Sequence, residues 1–63
     1  MLTEEQKVML DTVYPAASED HGQFLDAELL QLAARVAFGD EEDKAPIADA
    51  ITLDDCKDYL SHV

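Results

Sequence analysis

The chain has a single cysteine, Cys56, among its 63 residues, so no disulfide can form within it. Its two histidines, His21 and His62, stand far apart, and with one thiol they do not make the ligand set of a structural zinc site. No cofactor-binding motif is present either, and we expect no cofactor. Small proteins without disulfides or metals commonly gain stability from a partner.

The chain also lacks long apolar segments. No run approaches the roughly 20 apolar residues that a helix needs to cross a bilayer. The opening MLTEEQKV has neither the basic region nor the apolar region of a secretory signal. Because cysteine is scarce as well, we expect a soluble, cytoplasmic protein with a reduced thiol.

Basic residues are few: four stand against fifteen acidic ones, which gives a net charge of −11. Nucleic acids carry closely spaced phosphates and would be repelled by such a surface. Anionic membrane surfaces would be repelled for the same reason. We therefore expect a protein partner, with neither direct nucleic-acid binding nor membrane binding.

Strand patterns are absent, since no run alternates Val, Ile or Tyr with polar residues. Helical patterns cover most of the chain instead. They predict an all-α fold in one domain, residues 1–63, with three to four helices packed orthogonally around a long central helix. The predicted helices span residues 4–14, 22–38, 46–50 and 53–61.

The central helix is predicted from the segment FLDAELLQLAARVAF, residues 24–38. At about 100° per residue, one narrow apolar stripe is predicted to face the core; it contains Leu25, Leu29, Leu32 and Val36. Three further residues widen this stripe on one side: Ala33, Ala37 and Leu30. Phe24 and Phe38 lie away from that stripe. Because large aromatic side chains often anchor interfaces, these two are candidate partner-binding residues.

The predicted helix starts rest on local capping patterns. Thr3 and Gln6 have the spacing of a capping box, and Thr52 with Asp55 has the spacing of a cap for the last helix. Pro46 suits the first turn of the short third helix.

Other residues predict where the first two helices begin and end. Pro15 disfavours helical geometry at Tyr14, so the first helix should stop there. Ser18 or Asp20 should then cap the long helix. Gly39 should end it in a left-handed conformation.

Two groups of acids are further candidates for binding a partner. One is a loop after the long helix, and it contains Asp40, Glu41, Glu42 and Asp43. The other is the polar face of the last helix, and it contains Asp54, Asp55 and Asp58. Acidic residues in a loop can also bind calcium. An EF-hand calcium loop that ended at Asp55 would, however, have Lys44, Pro46 and Ala48 at ligand positions. The loop is therefore better explained as a solvated charged segment.

The stretch IADAITLDDCKDYL resembles the helix-turn-helix pattern, whose residue order is matched by Ile47, Ala48, Ile51, Thr52, Cys56 and Leu60. Its turn is shorter and lacks glycine, and the second helix carries acids that would meet phosphates. The resemblance therefore implies only how the last two helices pack.

Catalytic chemistry finds little support in the residue pattern. Cys56 lies on the apolar face of its helix, as a small buried side chain does. No Ser stands in the Asp-Ser-Leu setting of an acyl carrier, and the chain is short for a substrate pocket. We expect a protein that is not an enzyme.

Two functional hypotheses follow. In the first, the chain is an adaptor or small subunit that completes its core against an apolar groove or surface of another protein. In the second, it is a phage-type inhibitor whose acids mimic nucleic-acid phosphates and block a basic groove on a nucleic-acid-binding protein. A homo-oligomer stays open under either hypothesis.

Overall fold

The computed structural model describes residues 2–21 and 26–62, with the side chains of all of these except Asp20 and His21. This part of the chain is all-α and contains no strand. Its four helices are α1 (Glu4–His21), α2 (Ala27–Phe38), α3 (Ala45–Asp49) and α4 (Leu53–Leu60). None of them is long and apolar enough to cross a membrane. The all-α class is confirmed, and α2 contacts each of the other three helices.

The predicted capping box at Thr3 is confirmed, and the predicted cap at Thr52 is confirmed and also forms a capping box. The Gln6 amide donates to Thr3 Oγ1 at 3.2 Å, and the Thr3 amide donates to Gln6 Oε1 at 3.0 Å. At the start of α4, the Asp55 amide donates to Thr52 Oγ1 and the Thr52 amide donates to Asp55 Oδ2, both at 3.1 Å. These reciprocal bonds pair amides that have no partner inside the helix, and so they fix both helix starts.

The predicted end of α1 at Tyr14 is wrong, because the helix continues through Pro15 to His21. Proline removes one amide donor, which leaves the Asp11 carbonyl without its helical partner. Pro15 is exposed, so water can reach that carbonyl. Tyr14 and Ala17 pack against the core on either side of the proline, and this packing holds the helix together.

The predicted start of α2 at residue 22 is also wrong. Asp26 is the N-cap: its backbone is extended (φ −86°, ψ 166°) and its carboxylate accepts from the Leu29 amide at 2.8 Å. Ser18 and Asp20, the caps predicted from the sequence, lie inside α1 instead. The predicted helical residues 22–25 lie outside the described part of the chain.

The predicted end of α2 at Phe38 is confirmed, although its cap differs from the prediction. Gly39 has right-handed angles (φ −66°, ψ −23°) rather than left-handed ones. A Cβ atom at Gly39 would clash with the Arg35 carbonyl, so the position suits glycine through close approach. Helix α3 contains Pro46 in its first turn, as predicted.

The core lies where α1, α3 and α4 meet α2. Its buried apolar residues are Met9, Leu10, Val13, Ala27, Leu30, Ala34, Phe38, Ala48, Ile51 and Cys56. The predicted burial of Cys56 is confirmed, and the α1 side chains Met9, Leu10 and Val13 are buried as well.

The predicted core stripe of α2 is wrong. Leu32 and Val36 are 57% and 72% exposed, whereas Leu30 and Ala34 are fully buried. Leu29 is only half-buried. The buried side of α2 includes Ala27 and Ala34, and small side chains let neighbouring helices approach closely. The stripe through Leu32 and Val36 faces outward.

Candidate functional site

An open apolar groove of about 440 Å³ runs between α1 and α2. The side chains that line it come from both helices. Those of α1 are Thr12, Val13, Ala16 and Ala17, and those of α2 are Leu29, Leu32, Ala33, Val36 and Ala37. Exposed apolar residues that form one connected surface mark binding sites more often than scattered ones do. We call this surface the α1–α2 groove.

The shape of the groove follows from the residue sizes on the two helices. Ala16 and Ala17 are short, so α1 offers a low wall. Leu32 and Val36 are one helical turn apart on α2 and form a taller wall. The α1 wall exists only because the helix continues past Pro15, and this is why a sequence pattern that ended α1 at residue 14 missed it.

The groove is almost free of polar groups. Among the described residues that line it, Thr12 alone has a polar side chain. Its hydroxyl donates to the Val8 carbonyl at 2.9 Å, so its proton is already used inside α1. None of the described lining residues carries an acidic or basic side chain. It is suited to apolar side chains rather than to chemistry at a reacting atom.

Acidic side chains flank one end of the groove. Asp26 and Glu28 line a depression of about 350 Å³ that adjoins it and shares Leu29 and Leu32 with it. Glu19 lies one helical turn beyond the α1 wall and is exposed. Two carboxylates therefore adjoin the groove where α2 begins, and a third is exposed near the end of α1.

Of the two aromatic candidates, the structure describes only Phe38, and Phe38 does not line the groove. Phe38 is only 9% exposed and belongs to the core, so its expected position away from the core is wrong. The Lys44 ammonium lies 5.7 Å from the centre of its ring, a distance that allows a cation–π contact. Phe24 lies outside the described residues. The exposed apolar anchors that the structure offers instead are Leu32 and Val36.

The acids of the loop behave as the sequence predicts, since the four carboxylate residues 40–43 are all exposed. Lys44 approaches Glu41, with 3.7 Å between Nζ and Oε1. A surface pair of this kind contributes little to stability, because water screens both charges.

The acids of α4 are split between surface and interior. Asp54 and Asp58 are exposed, as predicted, whereas Asp55 is only 7% exposed, so its predicted place on an exposed acidic face is wrong. The Thr52 backbone amide, which donates to the Asp55 carboxylate, lowers the pKa of that carboxyl below its ordinary value of 3.8. Asp55 thus works as a cap rather than as part of an acidic strip.

Other reactive groups of the described chain have structural partners. Burial raises the pKa of the Cys56 thiol, which makes that thiol a poor nucleophile. Tyr59 donates its hydroxyl to Asp11 Oδ1 at 2.6 Å, and it packs edge-on against Tyr14 at 5.9 Å between ring centroids. Across residues 2–21 and 26–62, no group of three or more His, Cys, Asp or Glu side chains is placed to hold a metal ion.

Comparison with known proteins gives no relative for this arrangement. No protein-family model matches the chain, and no curated protein and no solved structure matches it either. Its function is therefore inferred from the residues of the groove and of the surfaces around it.

Proposed function

We propose that the protein is a non-enzymatic, acidic interaction module, an adaptor or small subunit, which binds another protein in the α1–α2 groove. One observation carries the proposal: two large apolar side chains of α2, Leu32 and Val36, are exposed at 57% and 72% and lie side by side along this groove. Single exposed apolar residues are common on proteins, but a contiguous set that lines a groove is not.

The energy available at this surface is enough to matter for binding. Full burial of a Leu or Val side chain contributes about 1.5 to 3 kcal/mol. Leu32, Val36 and the half-buried Leu29 together offer several kcal/mol, which must offset the entropy lost when two molecules associate. A partner that covers all three is needed for a stable complex, so we expect a macromolecular partner with a matching apolar ridge.

An enzymatic role receives little support from the same residues. The described lining of the groove has no titratable side chain, and Cys56 is buried among apolar neighbours. Catalysis requires acids, bases or nucleophiles that reach a substrate.

The alternative role, mimicry of nucleic-acid phosphates, is supported by the exposure of residues 40–43 and of Asp54 and Asp58. It is weakened by Asp55, whose carboxylate accepts hydrogen bonds within its own capping box. A mimic would use the acids and leave the groove uncovered. The groove therefore favours the adaptor or subunit role.

The test is affinity capture from cells of the source organism, and it compares substitutions at one valine of α1 and one valine of α2. Val36→Asp puts a charge in the groove. Val8→Asp makes the same change at a valine that is 59% exposed and does not line the groove. We expect a partner that the wild type and Val8→Asp retain and Val36→Asp loses. Equal retention by all three proteins would contradict the proposal.

A third variant addresses mimicry. Asp54→Asn combined with Asp58→Asn removes two exposed charges and keeps the Thr52–Asp55 capping box. Loss of the partner in this variant, with full retention by Val36→Asp, would establish mimicry and overturn the groove as the binding site.

A further inference from the structure

We infer that the occupant of the α1–α2 groove is a basic amphipathic helix of the partner protein, with its apolar face toward Leu32 and Val36 and its Lys or Arg residues beside the acidic end. The inference rests on the proposed function and adds the chemistry of the partner to it. It is carried by the shape of the groove together with the charges that flank it.

The shape favours a helix. The groove lies between two helices, and the side chains of a third helix spaced at i, i+3, i+4 and i+7 form a ridge that fits such a groove. Helix α2 has 12 residues and is about 18 Å long, so it matches about three turns of a partner helix. A small apolar molecule would lack orienting contacts, because Thr12 already donates its hydroxyl proton to Val8.

The charges favour a basic partner. Asp26 and Glu28 line the depression that adjoins the groove, and Glu19 is exposed near the end of α1. Arg35 is the one basic residue of α2. The whole chain carries a net charge of −11, so its field attracts cations from a distance. Lys or Arg at one end of a partner helix would be attracted to these acidic side chains. This attraction would set the direction in which that helix lies.

The same charges disfavour a second copy of the chain. Two identical copies would bring their acidic groove ends together, and each copy would carry its full charge of −11. Like charges brought together across an interface are destabilising. A surface of anionic lipid would be repelled in the same way.

Three synthetic helical peptides of about 14 residues, each spanning about four turns, test the inference against the full-length protein. The first has Leu along one face and Lys elsewhere. The second has Glu in place of every Lys. The third keeps the Leu/Lys composition with the leucines scattered around the helix. Fluorescence anisotropy of labelled peptides at about 20 mM and about 150 mM salt gives each affinity, because screening differs strongly between these concentrations.

We expect the Leu/Lys peptide alone to bind, and more weakly at the higher salt. Val36→Asp should weaken its binding by about tenfold or more, since an ionised carboxylate would be buried under the apolar face. Val8→Asp should change it by less than about twofold, as a surface charge does. Binding of the Leu/Glu peptide with equal affinity, or no binding of the Leu/Lys peptide, would overturn the inference.

A pair of charge variants tests the acidic end directly. Glu19→Gln with Glu28→Gln removes two charges there and leaves the Asp26 cap intact, whereas Glu41→Gln with Glu42→Gln removes two from the loop. We expect only the first pair to weaken the Leu/Lys peptide, by about three- to tenfold and mostly at low salt, where charges are least screened. Equal effects of both pairs would contradict a specific basic helix and indicate attraction by net charge alone.

Self-association and lipid binding are checked with the same proteins. Equilibrium sedimentation that gives a dimer mass for the wild type and a monomer mass for Val36→Asp would make a second copy the occupant and overturn the inference. Binding to anionic vesicles that Val36→Asp abolishes would also overturn it.

The two proposals can fail separately. If affinity capture yields a partner that depends on Val36 while the Leu/Lys peptide does not bind, the groove is a protein-binding site for a helix or segment of other chemistry. If capture shows no dependence on Val36, the proposed function itself fails, whatever the peptide does.

Discussion

The two apolar faces of α2 differ in what covers them. One face carries Leu30 and Ala34 and is fully buried against the other helices, whereas the other carries Leu32 and Val36 and is more than half exposed. Both faces have helical spacing, and both carry large apolar side chains. Apolar periodicity therefore locates surfaces that can be buried, while the packing of the whole chain decides which of them is buried within the monomer.

The buried face is the one that lets helices come close together. Ala27 and Ala34 give α2 a shallow surface, and Gln31 at its edge donates its side-chain amide to the Ile51 carbonyl at 2.9 Å. The exposed face has no such neighbour among the described residues. In the proposed complex, the partner protein supplies that neighbour.

The strongest test of this contrast uses two leucines that are two residues apart. Leu30→Ala should lower the free energy of unfolding by about 2 to 5 kcal/mol, because it leaves a cavity in the core. Leu32→Ala should change it by less than about 0.5 kcal/mol, as surface substitutions usually do. Urea denaturation followed by circular dichroism measures both values. Equal losses in the two variants would mean that Leu32 is packed as tightly as Leu30.

Features set by residues close in sequence could be predicted from it. The capping boxes at Thr3 and Thr52 depend on residues three apart, and Pro46 acts within its own turn, so all of these were predictable. The end of α1 was not, because packing on both sides of Pro15 overrides its local preference. That packing involves residues far apart in the chain.

The candidate site was less accessible to sequence reasoning, for a related reason. Helix α2 is apolar around most of its surface, and two stripes fit its spacing equally well. Choosing between them requires knowing where α1, α3 and α4 lie. A helix that is apolar around most of its surface needs neighbours on more than one side, and this requirement is the basis of the proposed partner.

A second contrast separates two polar residues one turn apart on α2. Gln31→Leu removes the amide that donates to the buried residue Ile51, which leaves that carbonyl without this partner. We expect a loss of about 1 to 3 kcal/mol of stability. Arg35→Leu, at an exposed position, should cost less than about 0.5 kcal/mol. Thermal unfolding of both proteins makes the comparison, and a larger loss in Arg35→Leu would contradict the placement of the two side chains.

Lowering the pH should lower the free energy of unfolding through Asp55, whose side chain is buried. The folded pKa of this carboxyl is lowered, so its contribution to stability is complete above the ordinary value of 3.8 and is lost as pH falls through the lowered value. Asp55→Asn should remove that part of the acid dependence, and Asp54→Asn, at the exposed neighbour, should keep it. Unfolding free energies measured between about pH 2 and pH 6, which brackets the carboxyl range, decide this. Identical pH profiles for the two variants would contradict the assigned role of Asp55.

Salt should have the smallest effect on stability, and it should act through the charges of the whole molecule rather than through one face of α2. With a net charge of −11, self-repulsion outweighs the few attractive pairs, so salt should stabilise the isolated protein. The midpoint of thermal unfolding should rise by a few degrees between about 10 mM and 200 mM sodium chloride, over which the Debye length falls from about 30 Å to below 10 Å. An unchanged or falling midpoint would show that the acids are already compensated.

The central claim is that the Leu32 and Val36 face is open in the free protein and covered in the complex, and thiol labelling of Val36→Cys measures both states. Cys56, which is fully buried, serves as the internal reference in the same molecule. We predict that the thiol introduced at position 36 reacts at nearly the rate of an unfolded chain while Cys56 reacts only on unfolding. Bound partner or Leu/Lys peptide should slow the reaction at position 36 alone. If that thiol reacts as slowly as Cys56 in the free protein, the face is already buried and the central claim is wrong.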